Sequence, residues 1–356
     1  MAEIVGGFAS SHTLLVSAPG NEWAANGARD HGRFLVRPSD GQRVPYDELL
    51  ATADPAIAEE VNLETFDRKH AAITSAVDEL QRRFVECDPD VVVAIGDDQE
   101  ELLFDDNYPM ISLYWGETLT HYPRMLNPAL TEEERNSAGV QVYGTEIIDY
   151  PIETSLGRHL VEELCANDFD IAQSRYLKTE YGGTVGPGGW YLDAQRSTAP
   201  RRHGMAHAFS FPVHRWFGGK RPPMVPITIN TCYPPNWISP RRAWALGEAV
   251  HAAIKSWDSD LRVAIVTTGG LSHFTVDKEL DLLALEGLQK GDREILTTLP
   301  RHRLQSATTE ILNWTTAAAA VGGTPMTLLE YQPAYRTEAG TGCGLAAGYW
   351  TTDQFG

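Results

Sequence analysis

Three apolar runs in this chain each stop at a compact polar cluster, and that repetition constrains the fold more than any other feature. Ile4 to Phe8 leads to Ser10-Ser11-His12, Val91 to Ile95 to Gly96-Asp97-Asp98-Gln99, and Val263 to Val266 to Gly269-Gly270-Leu271-Ser272-His273. Short continuous apolar runs mark strands buried on both faces of an α/β sheet. Such sheets bind ligands in the crevice beyond the carboxyl ends of their strands. If the three runs are neighbours, their imidazoles, carboxylates and amide converge on one place, where a metal or acid–base site follows. One such cluster alone is also ordinary turn chemistry, because Gly, Asp and Ser are the residues with which chains leave strands. Three together argue for a site.

The intervening segments supply the helices. From Leu63 to Cys87 the residues Phe66, Ile73, Val77, Leu80 and Phe84 recur at steps of three, four and seven, the pattern of an amphipathic helix, which Asp88-Pro89-Asp90 ends. Gly157 to Cys165, Ala243 to Trp257, Leu280 to Leu288, Asp292 to Leu296 and Glu310 to Val321 read as further helices, and Ile111 to Trp115 and Met224 to Asn230 as further strands. Ala18 to Pro55 and Tyr181 to Arg202, rich in Gly, Pro and polar residues, read as loop insertions, the first a surface excursion or lid. Alternating strands and helices give an α/β fold, a central mixed β-sheet flanked by helices, in a single catalytic domain over residues 1–356.

Bulk properties narrow the function. A net charge of -19, from 48 acidic and 29 basic residues, repels phosphates, so neither nucleic acid nor an anionic membrane surface is an expected partner. No apolar stretch approaches the roughly 20 residues that span a bilayer, and no export signal is visible, so a cytoplasmic location is expected. Cys87, Cys165, Cys232 and Cys343 lack paired spacing and read as reduced thiols. Neither a dinucleotide fingerprint nor a phosphate-binding loop is present, which leaves a metal as the expected cofactor.

Among single residues, His12 is the best ligand candidate: serines beside it can orient the ring and leave one nitrogen for a metal. Glu310 heads an apolar helix, where a carboxylate can equally cap the helix and meet its dipole. His273 follows two glycines that permit close substrate approach, which suits an acid–base role. His203, His207 and His214 are spaced at four and seven, but Gly204 and Pro212 argue against a regular helix there. His31, His70, His121, His159, His251 and His302 read as surface residues.

Taken together, the N-terminal segment ending in Ser-Ser-His12, the strand leading to Asp97-Asp98-Gln99, the His207 to Pro212 segment, Asn230 through Tyr233-Pro234-Pro235, Thr268-Gly-Gly-Leu-Ser-His273 and Glu310-Ile-Leu-Asn-Trp resemble the class III extradiol ring-cleavage dioxygenases. The likeness covers nearly the whole chain in order. It is to the protocatechuate 4,5-dioxygenase catalytic-subunit type, and most of all to the 3-O-methylgallate and gallate dioxygenases. It implies a mononuclear Fe(II) held by two histidines and a carboxylate, with open positions for a catechol and O2. Carried over, it makes His12 and Glu310 ligands, His273 the acid–base residue and His207 the residue that positions substrate or oxygen. Where the protocatechuate type has its second histidine ligand this chain has Gln99, here expected at the metal. Asp97, Asp98, Ser11, Ser272 and Tyr233 are expected around the ligands or against substrate. Arg175, Arg201, Arg202 and Arg215 are candidates for a substrate carboxylate.

The implied activity is extradiol cleavage of a substituted catechol, with a small aromatic acid and O2 as partners and a homodimer or higher homo-oligomer as the assembly. The exchange of histidine for Gln99 keeps open a non-oxidative hydrolase or lyase using the same metal. A binding protein on the same scaffold is a third possibility, opposed by the presence of His12, His207, His273 and Glu310 together.

Overall fold

The computed structural model describes residues 1–103, 107–126, 130–177 and 204–351, together with the backbone of 180–182 and 200–202. Nine strands form the main sheet: β1 (Glu3–Ser10), β2 (Val91–Gly96), β3 (Ile111–Tyr114), β4 (Ala172–Ser174), β5 (Met224–Ile229), β6 (Arg262–Thr268), β7 (His273–Thr275), β8 (Thr327–Tyr335) and β9 (Thr341–Thr351). Their order is β7-β9-β1-β6-β2-β5-β3-β4, with β8 also paired to β9. The central strands β1, β6, β2 and β5 run parallel, as does β4 beside β3, whereas β9 is antiparallel to β1 and β3 antiparallel to β5, so the sheet is mixed as expected. The three apolar runs of the sequence are therefore adjacent strands, and His12, Asp97 and Gly269 leave the sheet side by side.

The strand pleat divides the core. In β2, Val91, Val93 and Ile95 face helices Thr154–Ala166, Pro240–Ser256, Lys278–Lys290 and Ile311–Ala320, while Val92 and Ala94 face helices Leu63–Cys87 and His207–Arg215. Successive side chains of a strand point to opposite faces, so a run that is apolar at every position needs helices on both. Each fully buried Val, Leu, Ile or Phe contributes about 1.5–3 kcal/mol. The long helix Leu63–Cys87 starts where Asn62 accepts a hydrogen bond from Thr65 N and ends at Asp88, in the left-handed conformation just before Pro89.

Three expectations need correction. Ala18 to Pro55 is no irregular loop: it holds helices Gly20–Ala28 and Tyr46–Thr52 and an antiparallel ribbon of Phe34–Val36 with Arg43–Pro45. Leu35, Val44, Tyr46 and Leu49 give it a small core that packs on Phe274, next to His273. Residues 207–215 do form a helix, with Pro212 inside it. His121 is buried, not exposed, because it faces inward from a ribbon of Thr118–His121 and Ile148–Pro151 and bonds the Tyr143 carbonyl at 2.7 Å. Strands β8 and β9, paired antiparallel, are not among the expected elements. The Tyr181 to Arg202 insertion lies outside the described residues except for the ribbon of Glu180–Gly182 with Pro200–Arg202.

Candidate metal centre

Glu310 is the hub. It closes the 3-10 turn Ser306–Glu310 at the entrance to helix Ile311–Ala320, but its side chain caps no helix. Fully buried, the carboxylate instead accepts the Gly270 N–H at 2.6 Å and the Gln99 side-chain amide, and it lies 3.4 Å from Nε2 of His12 and 3.2 Å from Nε2 of His273. Burial alone would raise its pKa, but the two imidazoles hold it well below the usual carboxylate range.

His12 is oriented from a distance. Its Nδ1 is 2.9 Å from Thr268 Oγ1, and that hydroxyl donates its own proton to the Ala208 carbonyl at 2.6 Å. Thr268 must therefore accept from His12, which places the imidazole proton on Nδ1 and leaves the Nε2 lone pair facing Glu310. The Ala208 carbonyl is available because Pro212, four residues on, has no N–H to give it. The proline that argued against a helix thus frees an acceptor that fixes the histidine tautomer.

His273 is set by its backbone surroundings. Its Nδ1 donates to the Leu271 carbonyl at 3.1 Å, and Nε2 points at Glu310. Burial pushes its pKa down, but the Glu310 carboxylate outweighs that and leaves it raised above the ordinary histidine value. Gly270 is required here, since a Cβ on it would come within 2.4 Å of His273 Nδ1. Ser272, next to His273, makes a structural contact: its N–H and hydroxyl donate to buried Asp281, each at 2.7 Å.

The Asp97-Asp98-Gln99 cluster divides into separate tasks. Asp98 turns away and accepts the backbone N–H groups of Glu101, Leu102 and Leu103, holding a turn in which Gln99 (φ 51°) and Glu100 (φ 58°) are both left-handed. Such conformations cost about 1–2 kcal/mol each for non-glycine residues, which the three amide bonds offset. Burial pushes the Asp98 carboxyl up to about 7. Asp97 points into the site. Its Oδ1 accepts from Asn313 at 3.3 Å, while Oδ2 has no hydrogen-bond partner among the described residues although Asp97 is only 2% exposed. Burial and the neighbouring Glu310 charge push its pKa up to about 8.

His207 opens its helix beside this cluster, its ring centroid 4.5 Å from that of His12. Glu101, which sequence reasoning missed although it lies two residues beyond Gln99, accepts the His207 N–H at 2.6 Å and approaches its Nδ1 at 3.0 Å. Burial would raise the Glu101 pKa, but His207 and Arg124 hold it well below the usual range. Arg124 stacks on Tyr143, whose hydroxyl donates to the His12 carbonyl at 3.3 Å. Tyr233, Tyr108, Phe274 and Ala307 make an apolar wall near Glu310. Ser11 instead ties the end of β1 to β9 by accepting the Ala346 N–H at 3.0 Å. Of the arginines expected at a substrate carboxylate, Arg175 stacks on Trp115 and Arg215 pairs with Asp78. The side chains of Arg201 and Arg202 lie outside the described residues.

One ligand atom each from His12, Asp97 and Glu310 lies within 4.8 Å of the others. That spacing, with an imidazole lone pair, two buried carboxylates and an unpartnered carboxylate oxygen, fits a divalent first-row metal. Residues 202–343, which contain His207, His273 and Glu310, match the family described as the catalytic LigB subunit of aromatic ring-opening dioxygenase. That stretch, and the site residues within it, are what the chain shares with this family. Among curated proteins, the chain is 29% identical over 119 residues to the gallate dioxygenase of Pseudomonas putida (strain KT2440), covering 33% of this chain and 28% of that protein. It is 28% identical over 212 residues to the 2,3-dihydroxyphenylpropionate/2,3-dihydroxicinnamic acid 1,2-dioxygenase of Mycobacterium ulcerans (strain Agy99), covering 59% of this chain and 51% of that protein. The matched parts thus span between 28% and 51% of the relatives' lengths.

Proposed function

We propose that this chain is an Fe(II)-dependent extradiol dioxygenase that opens the ring of a substituted catechol, with gallate, 3-O-methylgallate and related aromatic acids as the substrates to try first. The observation that carries the reading is the convergence of His12 and His273, from separate segments, on the buried Glu310 carboxylate. His12 and Glu310 hold the metal. Bound there, Fe(II) supplies open positions for the two catechol oxygens and a redox link to dioxygen.

The protein's own part is proton handling, orientation and exclusion of water. His273, with Nδ1 fixed on the Leu271 carbonyl, presents Nε2 to the site and takes the proton of a substrate hydroxyl as general base. His207, steadied by Glu101, orients the opposite side of the substrate or the incoming oxygen. The wall of Tyr108, Tyr233 and Phe274 covers the ring and keeps water out.

The test is anaerobic loading with Fe(II), followed by gallate, 3-O-methylgallate or protocatechuate in air while oxygen uptake and the ultraviolet-visible spectrum are recorded. Uptake with a ring-opened chromophore, abolished in His12→Ala and Glu310→Ala, supports the proposal. One bound metal per chain without uptake on any catechol moves the reading to the non-oxidative hydrolase or lyase, for which paired buried carboxylates on a metal are also suited.

A further inference from the structure

We infer that Asp97, not Gln99, is the third protein ligand, so that the metal is held by one imidazole and two carboxylates (His12, Asp97 and Glu310) while Gln99 aligns the carboxylates. The inference rests on the metal reading above and concerns which residues bind the ion. It starts from the unpartnered Oδ2 of Asp97, a buried acceptor that water does not reach. A buried carboxylate oxygen left unpaired costs free energy, and a second carboxylate nearby adds repulsion. A divalent cation bound between Asp97 and Glu310 removes both costs. Asp97 also has the support that ligating carboxylates ordinarily have: Asn313 donates to its other oxygen, fixing the plane of the group.

Gln99 occupies a different position in this network. A carboxylate can only accept, so the amide group that meets Glu310 must be the NH2 end. The same side chain lies beside Asp97 and favours its charged form. It thus steadies both carboxylates, which is the role of a brace. Its φ of 51° shows that the turn is held in a strained conformation to bring the amide there. Asp97 leaves β2 as the next residue after Gly96 and reaches the site directly.

The donor set has a chemical consequence. Two carboxylates and one imidazole cancel the charge of a divalent ion and are harder than two imidazoles and one carboxylate, so the site shifts its preference from Zn(II) towards Fe(II) and Mn(II).

The experiment measures binding of Mn(II) and, anaerobically, Fe(II) to the full chain and to Asp97→Asn and Gln99→Leu, by equilibrium dialysis and by the metal-induced rise in Tm. Pulsed electron paramagnetic resonance of the Mn(II) form counts coordinated imidazole nitrogens. The expected result is one imidazole in the wild type and a loss of affinity in Asp97→Asn larger than the roughly 10–100-fold that follows loss of an outer partner, with Gln99→Leu inside that range. Asp97→Asn nearly preserves shape, and an unchanged or higher Tm without metal separates loss of a ligand from misfolding. Equal losses in the two variants, a larger loss in Gln99→Leu, or two coordinated imidazoles would overturn the inference. Oxygen uptake on catechols with Asp97 dispensable rejects the ligand set alone. Asp97-dependent binding without uptake on any catechol rejects only the dioxygenase reading.

Discussion

At the scale of single residues, Thr268 shows how much of the site depends on atoms that never meet the metal. Its hydroxyl accepts from His12 and donates to Ala208, so it selects the His12 tautomer. Thr268→Val keeps the shape and removes both bonds. Metal affinity is then expected to fall by about 10–100-fold, with Thr268→Ser retaining most of it, as equilibrium dialysis will measure. Asp281 gives a second prediction, this one on stability. Burial raises its pKa from 3.8 to about 7 despite the donors Ser272 and Tyr331. The folded chain therefore holds a proton that the unfolded chain releases between those values, and this group's contribution falls as pH rises through that window. The urea midpoint of wild type relative to Asp281→Asn should decline from pH 4 to 7 and level off above; a flat difference would show that the Asp281 carboxyl keeps its ordinary pKa. His12 and Glu310 were legible in the sequence because they end an apolar run or head an apolar helix. Thr268 and Glu101 were not, because nothing local distinguishes a hydroxyl or carboxylate that orients a distant ring. Nor does sequence separate Asp97 from Asp98, adjacent residues that the chain turns in opposite directions.

At the scale of elements, apolar periodicity was a good guide wherever a segment is buried among Val, Ile and Leu. It failed for β9, whose Thr341-Gly-Cys-Gly-Leu-Ala-Ala-Gly-Tyr-Trp-Thr sequence is rich in Gly and Ala. These residues are depleted in strands, yet β9 is almost wholly buried between β1, β7 and β8, where small side chains fit. The helix at His207 was obscured for the opposite reason, because the cost of Pro212 is offset by the Thr268 bond to the freed carbonyl. Helix Pro240–Ser256 crosses Ile311–Ala320 at Gly247, where a Cβ would lie 2.2 Å from the Thr316 carbonyl. Gly247→Ala should therefore cost about 1–3 kcal/mol by overpacking. Because the displaced helix follows Glu310 directly, the variant should show both a lower Tm and weaker metal binding. A normal Tm would mean that the two helices separate without strain.

At the scale of the whole molecule, the N-terminal excursion is joined to the far end of the sequence. Asp30, fully buried, accepts two hydrogen bonds from Arg336, at 2.7 and 2.8 Å, and the excursion's own small core rests on Phe274 beside the site. Arg336→Leu leaves Asp30 only its 3.3 Å contact with Arg33, so it should cost about 3 kcal/mol, the low end for a broken buried pair, and loosen the cover over β7 before the sheet melts. Faster hydrogen exchange confined first to residues 20–52 would reveal that order; simultaneous loss of the sheet would contradict it. The same geometry bears on assembly. The resemblance to the protocatechuate type implies a small separate subunit as a lid, and here residues of the 18–55 segment already pack on Phe274, next to His273. We therefore propose that the chain works without a second kind of polypeptide, as a homo-oligomer. Purified alone and loaded with Fe(II), it should consume oxygen with its catechol at a rate that no added protein increases, and sedimentation should give a mass of two or more chains. A requirement for a second polypeptide would reject the proposed lid role, because cover supplied within the chain makes an added lid unnecessary.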